Sequence, residues 1–264
     1  MRRLYITNSA NPQAIGDSIS AVPAVAEVSD GQPMEVWWEA RIMRGLFDIP
    51  GVQQAIGSPP EGVEYQRLDI QQVARGFMHL GIPITEAWAR AMGTTLPDDW
   101  VWPEMWGEQV WDATCLGFKP ENPYALISPY SYSDLGTGCK EWAPFKWFGL
   151  VEQLKEAGLD IGLLGATTDP ELPIPAIDFR VLGKPLQDVG HWMREAAVVV
   201  TIDNGMNWMA QAVGAKHVLI TAAAHPPAWT ANHGPNGRNI RDARTASIRE
   251  VLGAALALVK GSAT

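Results

Sequence analysis

The sequence predicts an α/β protein of two Rossmann-like lobes, each built on a parallel sheet. Three observations carry that expectation. The 264 residues exceed the usual size of a single domain and divide naturally into two. From Tyr124 onward, short runs that are apolar throughout alternate with amphipathic helical stretches, the pattern of parallel strands covered on both faces. Between Thr94 and Asn122 the periodicity fades, and Trp100, Trp102, Trp106 and Trp111 crowd into twelve residues. The boundary is therefore expected there, with lobes 1–118 and 119–264 and a final helix crossing back toward the first lobe. The tryptophans either plug the interface between lobes or offer a stacking platform to an acceptor.

In the first lobe, residues 4–7 read as a strand, followed by a helix with Ile15, Ile19, Val22 and Val25 at helical spacing and a kink at Pro23. Strands are expected at 35–39 and 52–56, separated by a small helical segment carrying Ile42, Leu46 and Phe47. Asp69 opens a helix with Ile70, Val73, Phe77 and Leu80 on one face, and Pro83 lies past its end. In the second lobe, strands are expected at 124–128, 161–164, 177–182, 198–202 and 217–221. The intervening helices carry Trp147, Leu150, Val151 and Leu154, then Leu186, Val189 and Met193, then residues 206–213. Gly158 stops the first of them, and a closing helix spans about 245–259.

Bulk properties narrow the function. A hydrophobic share of 47% with 19% charged residues is globular. A net charge of -9 gives no general attraction to nucleic acid or anionic lipid, so a nucleic-acid partner is not favoured. Cys115 and Cys139 have no metal-ligand spacing and read as free thiols. No apolar run approaches a membrane span, and the opening residues form no signal segment, so a cytoplasmic protein is expected.

Ligands of open parallel sheets bind beyond the carboxyl ends of the strands. After the strand at 198–202 comes Asp203-Asn204-Gly205-Met206-Asn207, a polar turn that feeds a helix N-terminus and suits a diphosphate. The other reading of Asp203 or Asn204 is a simple helix cap. The loop after 128 contains Gly136-Thr137-Gly138-Cys139-Lys140, with a cation for phosphate in Lys140.

These segments, in this order, resemble the heptosyltransferases, family nine of the glycosyltransferases, over about residues 124–230. Lys140-Glu141-Trp142-Ala143-Pro144 is similar to the family's Lys-x-Trp-Pro segment, and Leu163-Leu164-Gly165 to its Leu-Leu-Gly strand end. Gly183-Lys184-Pro185-Leu186 matches Gly-Lys-x-Leu, and the run from Asp203 to Trp208 stands where the family has Asp-[Ser/Thr]-Gly-x-x-His. In the first lobe, Gly16-Asp17 followed by Pro23 is similar to the family's Gly-Asp before a proline. Asn204 replaces the signature Ser or Thr, Trp208 replaces the His, and the first lobe is short, so the family's lipopolysaccharide acceptor is not carried over.

The resemblance implies the GT-B fold, with two lobes facing across a cleft, and inverting sugar transfer from a nucleoside-diphosphate sugar to the hydroxyl of an unknown acceptor. It implies Asp17 as the base, against an ordinary reading as a helix cap. Donor contacts fall to Thr137, Lys140, Gly165, Asp169, Glu171, Lys184, Leu186, Asp203, Asn204, Gly205, Met206 and Asn207. No cofactor or metal is expected, since Lys140 and backbone amides would meet the leaving group and no Asp-x-Asp motif occurs. Of the histidines, His225 and His233 fall in the loop that borders the donor phosphates in the family, while His191 reads as ordinary surface or packing and His217 sits at the start of a strand. Competing readings are a nucleotide-sugar epimerase, a sugar-nucleotide sensor without turnover, and a glycosyltransferase acting on nucleic-acid bases.

Overall fold

The computed structural model describes residues 1–11, 14–43, 46–105, 120–131, 140–167, 169, 174, 177–223 and 225–261. The chain forms two compact units, Met1–Gln109 and Val110–Thr264.

The first unit holds a parallel sheet in the order β3-β2-β1-β4, made from β1 (Arg2–Thr7), β2 (Met34–Trp38), β3 (Val52–Ile56) and β4 (Gln66–Asp69). The helix expected after β1 is divided at Ala21 into α1 (Ile15–Ser20) and α2 (Val22–Ser29). Pro23 is the second residue of α2, where its missing N–H costs no helical bond. The segment expected around Leu46 is a single 3-10 turn, Arg41–Met43. Asp69 caps α3 (Ile70–Phe77) by accepting from the Gln71 amide at 2.8 Å.

Two elements here go beyond the sequence reading. Strand β4 is short and half exposed, so its Gln-Arg-Leu-Asp run carries no apolar signal. Helix α4 (Ile84–Ala91) starts directly after Pro83, because proline serves as well before a helix as after one. Trp88 of α4 is fully buried and donates from Nε1 to Ser20 Oγ at 3.0 Å, which ties α4 to α1.

The second unit is a six-stranded parallel sheet in the order β10-β9-β8-β5-β6-β7. Its strands are β5 (Tyr124–Ser128), β6 (Asp160–Gly165), β7 (Phe179–Leu182), β8 (Val198–Ile202), β9 (His217–Ile220) and β10 (Gly237–Ile240). The helices are α5 (Pro144–Glu156), α6 (Leu186–Glu195), α7 (Gly205–Ala212) and α8 (Ile248–Val259). Gly158 ends the α5 region at a φ of 86°, as its position predicts. Strand β10 is an addition: its Gly-Arg-Asn-Ile run is polar because it lies at the sheet edge.

Trp142 and Trp147 pack edge to face at 5.0 Å in the core of this unit, and Trp142 Nε1 donates to the Ala246 carbonyl at 2.9 Å. A capping box at Ser247 and Glu250 starts α8. Val251, Ala255 and Leu258 then join the buried cluster formed by β8, β9 and α5. Trp100 and Trp102 meet edge to face at 5.5 Å. Trp106, Trp111, Cys115 and Cys139 lie outside the described residues.

Candidate active site

In the second unit the chain runs β5, β6, β7 toward one edge and β8, β9, β10 toward the other, so the strand order reverses between β5 and β8. Connections leaving in opposite directions open a crevice at that point, the usual ligand position in such sheets. Asn204, just after β8, closes its base. Its Oδ1 accepts from the amides of Met206 at 3.0 Å and Asn207 at 3.3 Å, capping α7. Its Nδ2 donates to Ser128 Oγ at 2.9 Å and to the Tyr130 carbonyl at 2.6 Å, at the end of β5.

That geometry is the helix cap given as the other reading of Asn204. The amides of Met206 and Asn207 are not open to a diphosphate, because the cap already occupies them. Asn207 is fully buried, donating to the Thr230 carbonyl at 3.3 Å and accepting from Gln211 Nε2 at 3.1 Å, which makes it part of the scaffold. Trp208, the fourth residue of α7, is buried.

Charge gathers instead around Asp203. Its carboxylate is 4% exposed and lies 3.3 Å from Lys140 Nζ and 2.9 Å from His225 Nδ1, whose side chains are 17% and 25% exposed. Burial pushes the carboxyl upward, but the His225 hydrogen bond and the Lys140 charge outweigh it and hold Asp203 below the usual carboxylate range. One anion thus anchors two cationic or cation-capable groups near the solvent, an arrangement suited to an incoming anion.

A pocket of about 260 Å³ adjoins the ends of β6 and β7. Leu163, Leu164 and Leu182 supply its apolar lining, and Tyr130, Thr167, Asp169 and Arg180 supply polar groups. Tyr130 links the two features, lining the pocket and accepting from Asn204. Asp169 Oδ2 accepts from the Ala166 amide at 2.7 Å and folds its loop against Gly165. A Cβ on Gly165 would lie 2.3 Å from Asp169 Oδ2, and one on Gly183, which has a φ of +60°, would lie 2.5 Å from Thr167 Cγ2. Both glycines therefore let the pocket loops approach. Leu186 is buried as the first residue of α6, Lys184 is exposed beside it, and Gly205 and Met206 are half-buried at the start of α7. Thr137 and Glu171 lie outside the described residues.

Arg180 and Tyr130 escaped the sequence reading. A lone arginine in Phe-Arg-Val-Leu was the available signal for the first, and a tyrosine two residues past the end of β5 for the second.

His217 belongs to the scaffold. Asn232 Nδ2 donates to the Arg238 carbonyl at 3.1 Å, so its Oδ1 accepts from His217 Nδ1 at 2.7 Å, and Nε2 accepts from the Thr201 hydroxyl at 2.8 Å. Burial pushes the imidazole from its ordinary 6.5 down to about 4, against the Asn232 hydrogen bond. The unfolded chain takes up this proton near pH 6.5 and the folded chain only near 4, so stability is full above that window and lost as pH falls through it. The loss corresponds to about 3 kcal/mol. Urea unfolding at pH 7.5 and 4.5 should show that difference in the wild type and a smaller one in His217→Gln.

In the first unit, Asp17 lies in the first turn of α1, and the cap position is held by Ala14, which makes no side-chain cap. The cap reading of Asp17 is thereby removed. Its Oδ2 accepts from Asn8 Nδ2 at 2.6 Å, in the loop that leaves the carboxyl end of β1. Among the described residues, no group of three or more His, Cys, Asp or Glu side chains is placed to hold a metal ion, and no helix is long and apolar enough to cross a membrane.

No protein-family model matches the chain, and no curated protein matches its sequence. Solved structures do match. Escherichia coli ADP-heptose lipopolysaccharide heptosyltransferase II superposes with a TM-score of 0.72 at 17% identity, covering 100% of both chains. A glycosyl transferase family 9 protein from Veillonella parvula gives 0.72 at 11% identity, over 99% of this chain and 98% of that one. The E. coli heptosyltransferase WaaC with ADP gives 0.60 at 15%, over 98% and 100%. With its two parallel sheets and their flanking helices, the chain has the GT-B fold of the heptosyltransferases and family 9 glycosyl transferases.

Proposed function

We propose that the protein is an inverting glycosyltransferase that binds a nucleoside-diphosphate sugar in its second unit and passes the sugar to an acceptor hydroxyl without a metal ion. The observation that carries this reading is the cluster of Asp203, Lys140 and His225 just past β8 at the strand-order reversal, linked through Tyr130 to the pocket at the ends of β6 and β7. The pocket would take the nucleoside, with Asp169 and Arg180 offering its hydroxyls and ring edges an acceptor and a donor. Lys140 and His225 would face the diphosphate. The first unit would supply the acceptor side and its base.

Transfer then proceeds by displacement. Asp17 takes the acceptor hydroxyl proton, and that oxygen attacks the anomeric carbon on the face opposite the diphosphate. The anomeric C–O bond breaks, its electron pair leaves with the nucleoside diphosphate, and Lys140 and His225 stabilise the added charge.

Calorimetry with a panel of nucleoside diphosphates and ADP-heptose, the donor named for one structural neighbour, tests the donor half. One member should bind, and Lys140→Ala should weaken it by about 1.5 to 3 kcal/mol. A panel without binding would sink the reading, and unchanged affinity in the variant would remove Lys140 from the site.

A further inference from the structure

We propose that Asn8 is a positioning residue for Asp17, holding that carboxylate through a side-chain amide whose orientation its own loop dictates; the proposal rests on the assignment of Asp17 as base. Asn8 is the residue after β1 and is 7% exposed. Its Oδ1 accepts from the amides of Ala10 and Asn11, both at 3.0 Å. Only the oxygen of a carboxamide can accept two N–H groups, so Nδ2 is the end turned to Asp17 Oδ2 at 2.6 Å.

The loop is tied down on both sides as well. The Asn8 amide donates to Glu39 Oε2 at 3.2 Å, and the Thr7 hydroxyl donates to the same oxygen. The Ser9 amide donates to Asp69 Oδ2 at 3.0 Å. Glu39 follows β2 and Asp69 ends β4, so the clamp on Asp17 is fixed to the carboxyl ends of three strands. Other charged groups on elements packed against α1 are Arg41 in the 3-10 turn, Glu27 on α2, and Glu86 with Arg90 on α4, the last two paired at 2.8 Å.

A donor on one carboxylate oxygen favours the ionised acid and fixes its plane, both of which a general base needs before the acceptor arrives. Asn8→Asp separates this role from loop structure. It keeps the acceptor for Ala10 and Asn11 but turns a second acid toward Asp17, and two acids at that distance must share a proton. Asn8→Ser is the uncharged companion, too short to reach Asp17.

The test is a carbon-13 NMR titration of the aspartate carboxyls, run with the pH profile of turnover of the nucleotide sugar that the calorimetry panel selects. In Asn8→Asp the Asp17 midpoint should rise by about one pH unit or more, a tenfold change in proton affinity, with a smaller rise in Asn8→Ser. The acid limb of turnover should move up with it, while the amide resonances of Ala10 and Asn11 stay in place in Asn8→Asp. An unmoved midpoint in both variants overturns the proposal, as does a moved midpoint with an unmoved acid limb. If Asp17 is not the base, Asp17→Asn retains its turnover, a result read independently of either Asn8 variant.

Discussion

Replacing Asp17 with asparagine is expected to slow sugar transfer by about 100- to 10,000-fold while leaving nucleotide affinity intact. Asparagine has nearly the same shape and still offers an oxygen to Asn8 Nδ2, so the local fold should persist. It cannot take a proton from the acceptor. A side chain that served only to hold the loop would tolerate the change, and turnover would stay near the wild-type rate. Steady-state kinetics separates the two cases. Lowered kcat with unchanged donor affinity is the signature of a lost base, and near-normal kcat would leave the base unidentified.

The second large effect belongs to Asp203→Ala. This buried carboxylate holds Lys140 at 3.3 Å and His225 at 2.9 Å, and removing one member of a buried ion pair typically costs about 3 to 5 kcal/mol. Both partners retain some exposure and can be partly rehydrated, so the lower end of that range is expected in urea unfolding. Nucleotide binding should weaken too, because the two groups lose the anchor that sets their positions. Since Asp203 titrates below its ordinary 3.8, its contribution is present above that pH and fades as pH falls below it. The stability gap between wild type and variant should therefore narrow in strong acid. A variant as stable as wild type at pH 7 would mean that the cluster adds nothing to folding.

Much of the second unit was legible because its strands are buried on both faces. Val198–Ile202 and Tyr124–Ser128 are buried from end to end and apolar except at Thr201 and Ser128, and a run of that kind has few alternatives to a central parallel strand. Strands β4 and β10 were not legible, since edge positions leave polar residues free to point outward. The site divides in the same way. Asp203 and Lys140 stand in short motifs and come together in the fold. His225 was expected near the site only through the family resemblance, and Arg180 is brought in from β7 by the sheet order, which no spacing rule encodes. The turn at Asn204 read either as an anion site or as a helix cap, because periodicity cannot tell whether a cap side chain already holds the amides it exposes.

The packing of α8 also bears on how the protein is made. Its face of Val251, Ala255 and Leu258 covers strands that are completed well before it, with β8 ending at Ile202 and β9 at Ile220. During synthesis at about 5 to 20 residues per second, the part of that face over β8 and β9, which α5 leaves to α8, stays uncovered for seconds after its strands leave the ribosome. The first unit, Met1–Gln109, meets no such delay, because its strands and helices all precede the second sheet. Nascent chains halted before Ile248 should therefore bind holding chaperones through the second sheet while the first is already protease-resistant.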